Sequence, residues 1–107
     1  MTDFSVTNKL KYTDRELQAL VGKHILVGVV CCGTGDSIIS REQFHGHISR
    51  ISLQAGVTVR LNNSSEERTV PLDFTSFEIA RPGEYRLTGT DEIVNDPEYT
   101  MRVTVKV

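Results

Sequence analysis

Residues 43–53 read QFHGHISRISL, and this stretch decides the fold because its hydrophobic alternation changes phase partway along it. Phe44, Gly46 and Ile48 alternate as the inward face of a β-strand, in which successive side chains point to opposite sides. Ile51 then continues the inward face one position out of step. A slip of this kind within a long strand predicts a β-bulge or a strong bend.

Strand-like segments lie on both sides of this bent strand. Residues 23–32, KHILVGVVCC, are rich in β-branched residues and apolar on both faces, so they predict a strand that is covered on both sides. Gly28 in its middle indicates a sharp bend or the close approach of another backbone. The remaining strand-like segments are short, and turn residues bound them. They are residues 57–61, 68–72, 77–80, 84–87, 92–94 and 99–107.

A short helix is predicted before the first strand. Thr13 and Glu16 have the spacing of a capping box, and the apolar residues that follow lie at helical spacing up to Gly22. These signals predict a helix over roughly 14–21, because glycine commonly ends a helix. Residues 1–12 show no clear period, and we expect them to be a flexible arm.

The order of these elements predicts a mainly β fold, a small barrel of bent strands preceded by the helix. Closure into a barrel hides the edge strands that a small sheet otherwise exposes. A length of 107 residues fits a single domain. We expect the barrel core over 13–80 and a C-terminal β extension, a hairpin or a strand, over 81–107.

Four stretches carry a resemblance to a known group of folds. The runs LVGKHILVGVV, QFHGHISRIS, AGVTVRL and RTVPLDFTSFEIA follow the helix-plus-five-strand order of Sm-like and SH3-like small barrels, which the chain resembles over residues 13–80. The runs QFHG, VPLDF and PGEYRLTGTDEIVNDPEYT also resemble a family of small bacterial proteins of unknown function. This second resemblance implies a fold and no catalytic residue.

The charge balance disfavours a protein that binds the phosphate backbone, because such proteins usually have a basic excess. The chain has 12 Lys and Arg against 14 Asp and Glu, a net charge of −2. Residues 1–60 hold seven basic and five acidic residues (+2), and residues 61–107 hold five and nine (−4). The segment from Asp91 to Glu98 is acidic and predicts a solvated loop, with a weak calcium site or a face for a basic partner as alternatives.

The lack of a recognisable targeting signal and the small number of cysteines predict an intracellular protein. No stretch approaches the length of a membrane span, and the first residues lack the apolar region of a signal peptide, so we expect a soluble, cytoplasmic chain. Cys31 and Cys32 are the two cysteines of the sequence, too few for a disulfide framework or a cysteine zinc site. On a strand they point to opposite faces, which predicts one core side chain and one partly covered thiol.

The histidines offer a possible metal site. His45 and His47 lie two residues apart on one face of the predicted strand, which is half of a zinc or copper site, and His24 begins a neighbouring strand. Glu42 and Asp36 are the candidates to complete this site, because they are close to the histidines in sequence. The favoured interpretation is that His45 and His47 are half-exposed histidines that point outward. We therefore predict no cofactor and keep metal binding as an alternative.

The sequence contains no pattern that predicts an enzyme. There is no Gly-x-Ser-x-Gly elbow, and no residue pattern activates either cysteine. Residues 33–35, Gly-Thr-Gly, lack the Lys-Ser/Thr pair of a phosphate-binding loop and predict a hairpin turn. Carboxylates that are close together in the sequence lie in predicted turns. Water there keeps their pKa values similar, which disfavours a pair that acts as general acid and general base.

These observations predict a non-catalytic binding module that contacts another protein or a second copy of itself by strand addition. The apolar strand over 25–30 and the final strand are the expected surfaces. Because Sm-like barrels commonly bind RNA, the resemblance implies RNA binding as an alternative, with Phe44 or Tyr85 stacking on a base. The candidate partner or nucleic-acid face consists of Arg41, His45, His47, Arg50 and Arg60.

Overall fold

The residues that the structure, a computed structural model, describes are 13–62, 64–72, 76–87 and 92–106. Within these ranges the side chains of Asp14 and Asp36 are not described, and the predicted arm over 1–12 lies outside them. The described chain is mainly β, as predicted. Its elements in chain order are α1 (Asp14–Gln18), β1 (His24–Cys32), a 3-10 turn (Thr34–Asp36), β2 (Ile38–Ser52), β3 (Gly56–Leu61), β4 (Glu67–Val70), β5 (Glu78–Ile79), β6 (Glu84–Arg86), β7 (Ile93–Asn95) and β8 (Tyr99–Lys106).

Helix α1 begins with the predicted capping box. The Thr13 hydroxyl accepts from the Glu16 backbone N–H at 3.2 Å, and the Glu16 carboxylate accepts from the Thr13 N–H at 2.9 Å. The helix ends at Gln18, earlier than predicted, and turns continue to Gly22. Leu17 of α1 is fully buried, so the helix covers one side of the sheet.

The strands of the described residues form a six-stranded sheet in the order β4-β3-β2-β1-β8-β5 and a separate hairpin of β6 and β7. β1 and β8 are parallel, and the other neighbours are antiparallel. β8 falls in the region expected to be an extension, yet it lies inside the sheet between β1 and β5. Its pairing partner β1 is far away in sequence, so local patterns carry no signal for this position.

The predicted closed barrel is not confirmed, because β4 and β5 do not pair in the described part of the chain and the sheet stays open between them. Both strands are short, with four and two residues. Short edge strands expose few unpaired backbone N–H and C=O groups, so an open sheet with such edges offers little template for unwanted pairing.

The phase slip in β2 is a bulge, as the sequence predicts. β2 pairs with β3 from Gly46 to Ser52, and the register shifts between Ile48 and Arg50. The shift keeps Ile48 and Ile51 together in the core, where they are 1% and 3% exposed. The bulge therefore bends β2 without turning its apolar residues to the solvent.

β1 is covered on both faces. On one side, which we call the core face, Ile25 is fully buried together with Leu17 of α1. On the other side, which we call the outer face, Leu26 packs against Leu87 and Val94 of the β6–β7 hairpin. β1 also has strand neighbours on both edges, which leaves no edge of β1 for a partner strand.

An ion pair links the edge strand β4 to the first half of β2. The two guanidinium nitrogens of Arg68 donate to the two carboxylate oxygens of Glu42 at 2.5 and 2.7 Å. The same guanidinium lies 4.8 Å from the centre of the Phe44 ring. Arg68 holds the pKa of Glu42 below its ordinary value, mainly through this hydrogen bond. The contact therefore joins β4 to β2 across the intervening strand β3.

Two glycines in neighbouring strands occupy opposite environments. A Cβ atom at Gly46 would lie 1.9 Å from the backbone oxygen of Arg60 in β3, so the close approach of β2 and β3 requires glycine. A Cβ atom at Gly28 would meet nothing within 4 Å, so the close backbone approach, one of the two alternatives predicted there, is wrong. Gly28 instead leaves an open depression on the sheet.

We expect Gly46→Ala to lower the free energy of unfolding by about 2 kcal/mol or more, because the new methyl group collides with a backbone carbonyl. Gly28→Ala is the matched control, and we expect it to raise stability by up to about 1 kcal/mol, because alanine is less flexible than glycine in the unfolded chain. Urea unfolding curves measure both changes. Equal effects of the two substitutions would contradict this assignment.

Candidate functional site

The outer face of β2, β1 and β8 carries most of the candidate residues. Antiparallel pairing of β1 with β2 and parallel pairing with β8 place side chains in rows across the three strands. From one end to the other, these rows are His45–Leu26–Thr100, Gln43–Gly28–Arg102 and Arg41–Val30–Thr104, and His24 and His47 form a further pair beside the first row. Histidines therefore occupy one end of the face and arginines the other.

The three histidines form one cluster. The ring centres of His24 and His45 are 5.2 Å apart, and those of His24 and His47 are 5.3 Å apart in a stacked arrangement. His45 is 8% exposed, so the prediction that it is half exposed is wrong. The acid Glu92, from the chain just before β7, reaches its ring, and no local pattern around His45 signals this long-range contact.

A chain of hydrogen bonds runs from Glu92 through His45 to His24. Nε2 of His45 lies 2.5 Å from a carboxylate oxygen of Glu92, and Nδ1 of His45 lies 3.0 Å from Nε2 of His24. The carboxylate accepts, so Nε2 of His45 carries its proton. When His45 is neutral, its bare Nδ1 accepts from the Nε2–H of His24. The Nδ1 of a neutral His24 is then the end of the chain that can bind a proton.

A second acid anchors the beginning of β1. The backbone N–H of His24 donates to the Glu98 carboxylate at 2.9 Å, and the Glu98 N–H donates to the His24 carbonyl at 2.9 Å. Nζ of Lys23 lies 3.7 Å from the other oxygen of the same carboxylate. The hydrogen bond from His24 is the main cause that lowers the pKa of Glu98.

The acidic segment before β8 is therefore more than the solvated loop that the sequence predicts. Glu92 binds His45, Glu98 binds β1, and the Asp96 carboxylate accepts from the Gly83 N–H at 2.7 Å. Asp91 lies outside the described residues. The signal in the sequence was four acids with no base between them, and only the tertiary structure shows which groups the described ones bind.

The histidine cluster does not have the geometry of a metal site. Among the described residues, no group of three or more His, Cys, Asp or Glu side chains is arranged to hold a metal ion. Glu42, a predicted ligand, is bound through both carboxylate oxygens to Arg68 of β4. The side chain of Asp36, the other, is not described. Both ring nitrogens of His45 already have partners.

The predicted arginine face divides into two parts. Arg60 pairs with His47 in register and, like Arg50, lies near Glu67, at 4.0 and 3.6 Å respectively. Arg41 is six residues from His47 along β2, which is about 20 Å in a strand. The five predicted residues therefore do not converge on one site.

The two aromatic residues proposed to stack on a base are both engaged in the fold. Phe44 belongs to the main core and is 7% exposed. Tyr85 packs against the small cluster around Leu26, and its hydroxyl donates to the Arg81 carbonyl at 2.8 Å. Cys31 and Cys32 are free thiols, half-buried and buried respectively, in agreement with the prediction of one core side chain and one partly covered thiol.

A groove lies on the outer face above Gly28. It has a volume of about 360 Å³, and Arg41, Gln43 and Arg102 are among the residues that line it. A neighbouring cavity of about 580 Å³ shares Gly28, Gln43 and Arg102 with it and extends to Tyr85. Arg102 is a residue that sequence reasoning missed, because it reaches the groove only through the parallel pairing of β8 with β1.

Comparison of the chain with protein-family models, with curated proteins and with solved structures finds no match. The resemblances to Sm-like and SH3-like barrels and to a bacterial family stay predictions. Among the described residues, no helix is long and apolar enough to cross a membrane.

We expect the free energy of unfolding to fall when the pH is lowered from neutral to about 5. Burial, and then the neighbouring His45 and His47, lower the pKa of His24, while Glu98 opposes the shift. The unfolded chain, with an ordinary histidine pKa of about 6.5, therefore binds a proton at a higher pH than the folded chain. The contribution of neutral His24 to the free energy of unfolding is therefore complete above this pH. It decreases as the pH falls below this value, until His24 of the folded chain is also protonated.

Urea unfolding at a series of pH values measures this dependence, and NMR titration of the His24 ring gives its pKa directly. His24→Gln should reduce the loss of stability on acidification. A window above about pH 5 keeps the carboxylates out of the measurement, because their pKa values are lower. A His24 ring that titrates at or above the ordinary value would contradict the prediction.

Proposed function

We propose that the chain is a non-catalytic β module that associates with a second copy of itself. In this proposal, the first residues of β2 in each copy pair through the strand edge that β3 leaves unpaired. The observation that supports this proposal is an unpaired strand edge. β2 runs from Ile38 to Ser52, but β3 pairs with it only from Gly46 onward. The edge from Ile38 to Glu42 has no strand neighbour on that side in the described part of the chain.

The composition of this edge favours pairing. Ile38 and Ile39, the first two residues of the strand, are apolar and are 52% and 61% exposed. An unpaired strand edge with exposed apolar residues is a ready template for another strand. Burial of two isoleucines would provide part of the free energy that pairs the strands.

A second copy is the partner that satisfies this edge without further assumptions. Two identical edges can pair antiparallel about a two-fold axis, in which the same patch of both copies is used. If the axis passes at Ser40, Ile39 of one copy lies opposite Arg41 of the other, and Ile38 opposite Glu42. No like charges then face each other, and like charges in direct opposition destabilise a strand pair.

The strand over 25–30, which the sequence suggested as the interaction surface, is not the one we propose. β1 contains this strand and already has neighbours on both edges. The Sm-like and SH3-like barrel and its implied RNA binding stay predictions. The open edge between β4 and β5 and the buried position of Phe44 give them no support.

We expect Ile39→Lys to weaken self-association by about 100-fold, because it removes apolar burial and places a charge in the strand interface. Leu53→Lys is the matched control. Leu53 is 46% exposed in the turn after β2, so the substitution adds the same charge away from the unpaired edge. Sedimentation equilibrium over a range of micromolar concentrations measures the dissociation constant of each variant.

The expected result is a concentration-dependent dimer for the wild-type chain and for Leu53→Lys, and a monomer for Ile39→Lys. A wild-type chain that stays monomeric over the whole range would overturn the proposal. A dimer that both lysine variants leave unchanged would also overturn it, because another surface would then hold the copies together.

A further inference from the structure

The groove on the outer face exists because Gly28 has no side chain. Gly28 is the central residue of the row Gln43–Gly28–Arg102, and its neighbours on the same face of β1 are Leu26 and Val30. A Cβ atom at this position would meet nothing within 4 Å. The groove therefore has the backbone of β1 as its floor and side chains of β2 and β8 as its walls.

Two arginines line this groove without a partner acid. Arg41 and Arg102 make no ion pair or hydrogen bond through their guanidinium groups with any described residue. The arginines on β2, β3 and β4 that lie elsewhere each approach a glutamate. These are Arg50, Arg60 and Arg68. Glu42 also lines the groove, but both oxygens of its carboxylate are bound to Arg68.

The spacing of the two strands lets both guanidinium groups reach one ligand. β2 and β8 are separated by β1, so their backbones lie about 10 Å apart. Arg41 lies in the row next to that of Arg102, and a long arginine side chain from each strand can extend over the intervening β1 toward a shared ligand. A guanidinium presents a planar fork of donors that matches a carboxylate or a phosphate.

The neighbouring cavity indicates what the rest of the ligand is like. It shares Gly28, Gln43 and Arg102 with the groove and extends over Leu26 to Tyr85, which offer an apolar floor and an aromatic wall. Glu78 lies at its far side and disfavours a second anionic group there. The volume of about 360 Å³ in the groove alone is within the range of small-molecule pockets, about 300–1,000 Å³.

We propose that this groove binds a small organic anion, whose carboxylate or phosphate lies between Arg41 and Arg102 and whose apolar or aromatic body extends over Leu26 toward Tyr85. The ligand carries its charge at one end only. The groove opens on the outer face of the sheet, whereas the proposed pairing uses the edge of β2. Arg41 belongs to both, and Arg102 of β8 belongs to the groove alone, so variants of Arg102 test the groove separately.

Titration of the ¹⁵N-labelled chain with benzoate and with phenyl phosphate tests the proposal. Both probes have one anionic end and an aromatic body, and benzamide is the neutral control. We expect saturable shifts of amide signals around Gly28 and Arg102 with the two anions, at least ten times weaker with benzamide. The comparison of benzoate with phenyl phosphate shows which anionic group the arginines prefer.

Two variants separate the groove from the general charge of the surface. Arg102→Gln should weaken binding of both anions at least tenfold, and Gly28→Val should abolish it by filling the groove. The valine side chain enters open space, and a β-branched residue suits a strand. Arg50→Gln removes the same charge outside the groove and should leave binding unchanged.

Unfolding curves show whether each variant keeps its fold. If Gly28→Val does not fold, Arg102→Gln still decides the question, because Arg102 is exposed and its guanidinium has no described partner. The absence of saturable shifts with both anions would overturn the proposal. So would equal loss of binding in Arg50→Gln and Arg102→Gln, or equal binding of benzamide.

A single-stranded RNA, polyuridylate, is titrated in parallel. If it binds more tightly than phenyl phosphate, loses affinity steeply with salt and depends on Arg50 and Arg60 as well as Arg102, the surface is a nucleic-acid interface and the small-anion proposal is overturned. If RNA binding is weak and the anions bind in the groove, the proposal is supported.

Discussion

A strand that is apolar on both faces must be covered on both faces, and this requirement on β1 organises the molecule. On the core face, α1 and the side chains of the bent β2 bury Ile25. On the outer face, the β6–β7 hairpin buries Leu26 under Leu87 and Val94. The hairpin lies between β5 and β8 in the chain, and β8 then pairs parallel to β1. The hairpin thus covers the outer face of the first strand, and β8 pairs with one of its edges.

The hairpin covers only one end of the outer face, and the chemistry of that face follows from this limit. Where the hairpin ends, Glu92 meets the buried His45 and joins it to His24. Farther along β1, Gly28 carries no side chain, and the walls supplied by β2 and β8 leave a groove with two arginines. The histidine cluster and the groove are therefore different consequences of the same partial cover.

Curvature of the sheet depends on β2. It contains the bulge between Ile48 and Arg50 and approaches β3 closely at Gly46. Beyond β3, Arg68 of β4 binds Glu42 of β2 beside Phe44. The described strands of the sheet do not close into a barrel. β3 ends at Leu61, opposite Gly46, so the first residues of β2 are left with an unpaired edge.

Local patterns predict the capping box at Thr13, the phase slip in β2, the short strand segments of β6 and β7 and the apolar character of both faces of β1. Each depends on residues that are close in the chain, so propensity and periodicity are sufficient to predict it. Tertiary structure alone decided that β8 lies beside β1, that Glu92 reaches His45, and that Arg41 and Arg102 share a groove. These contacts join residues far apart in sequence, and their free energy comes from burial and pairing in the assembled sheet, which no local pattern encodes.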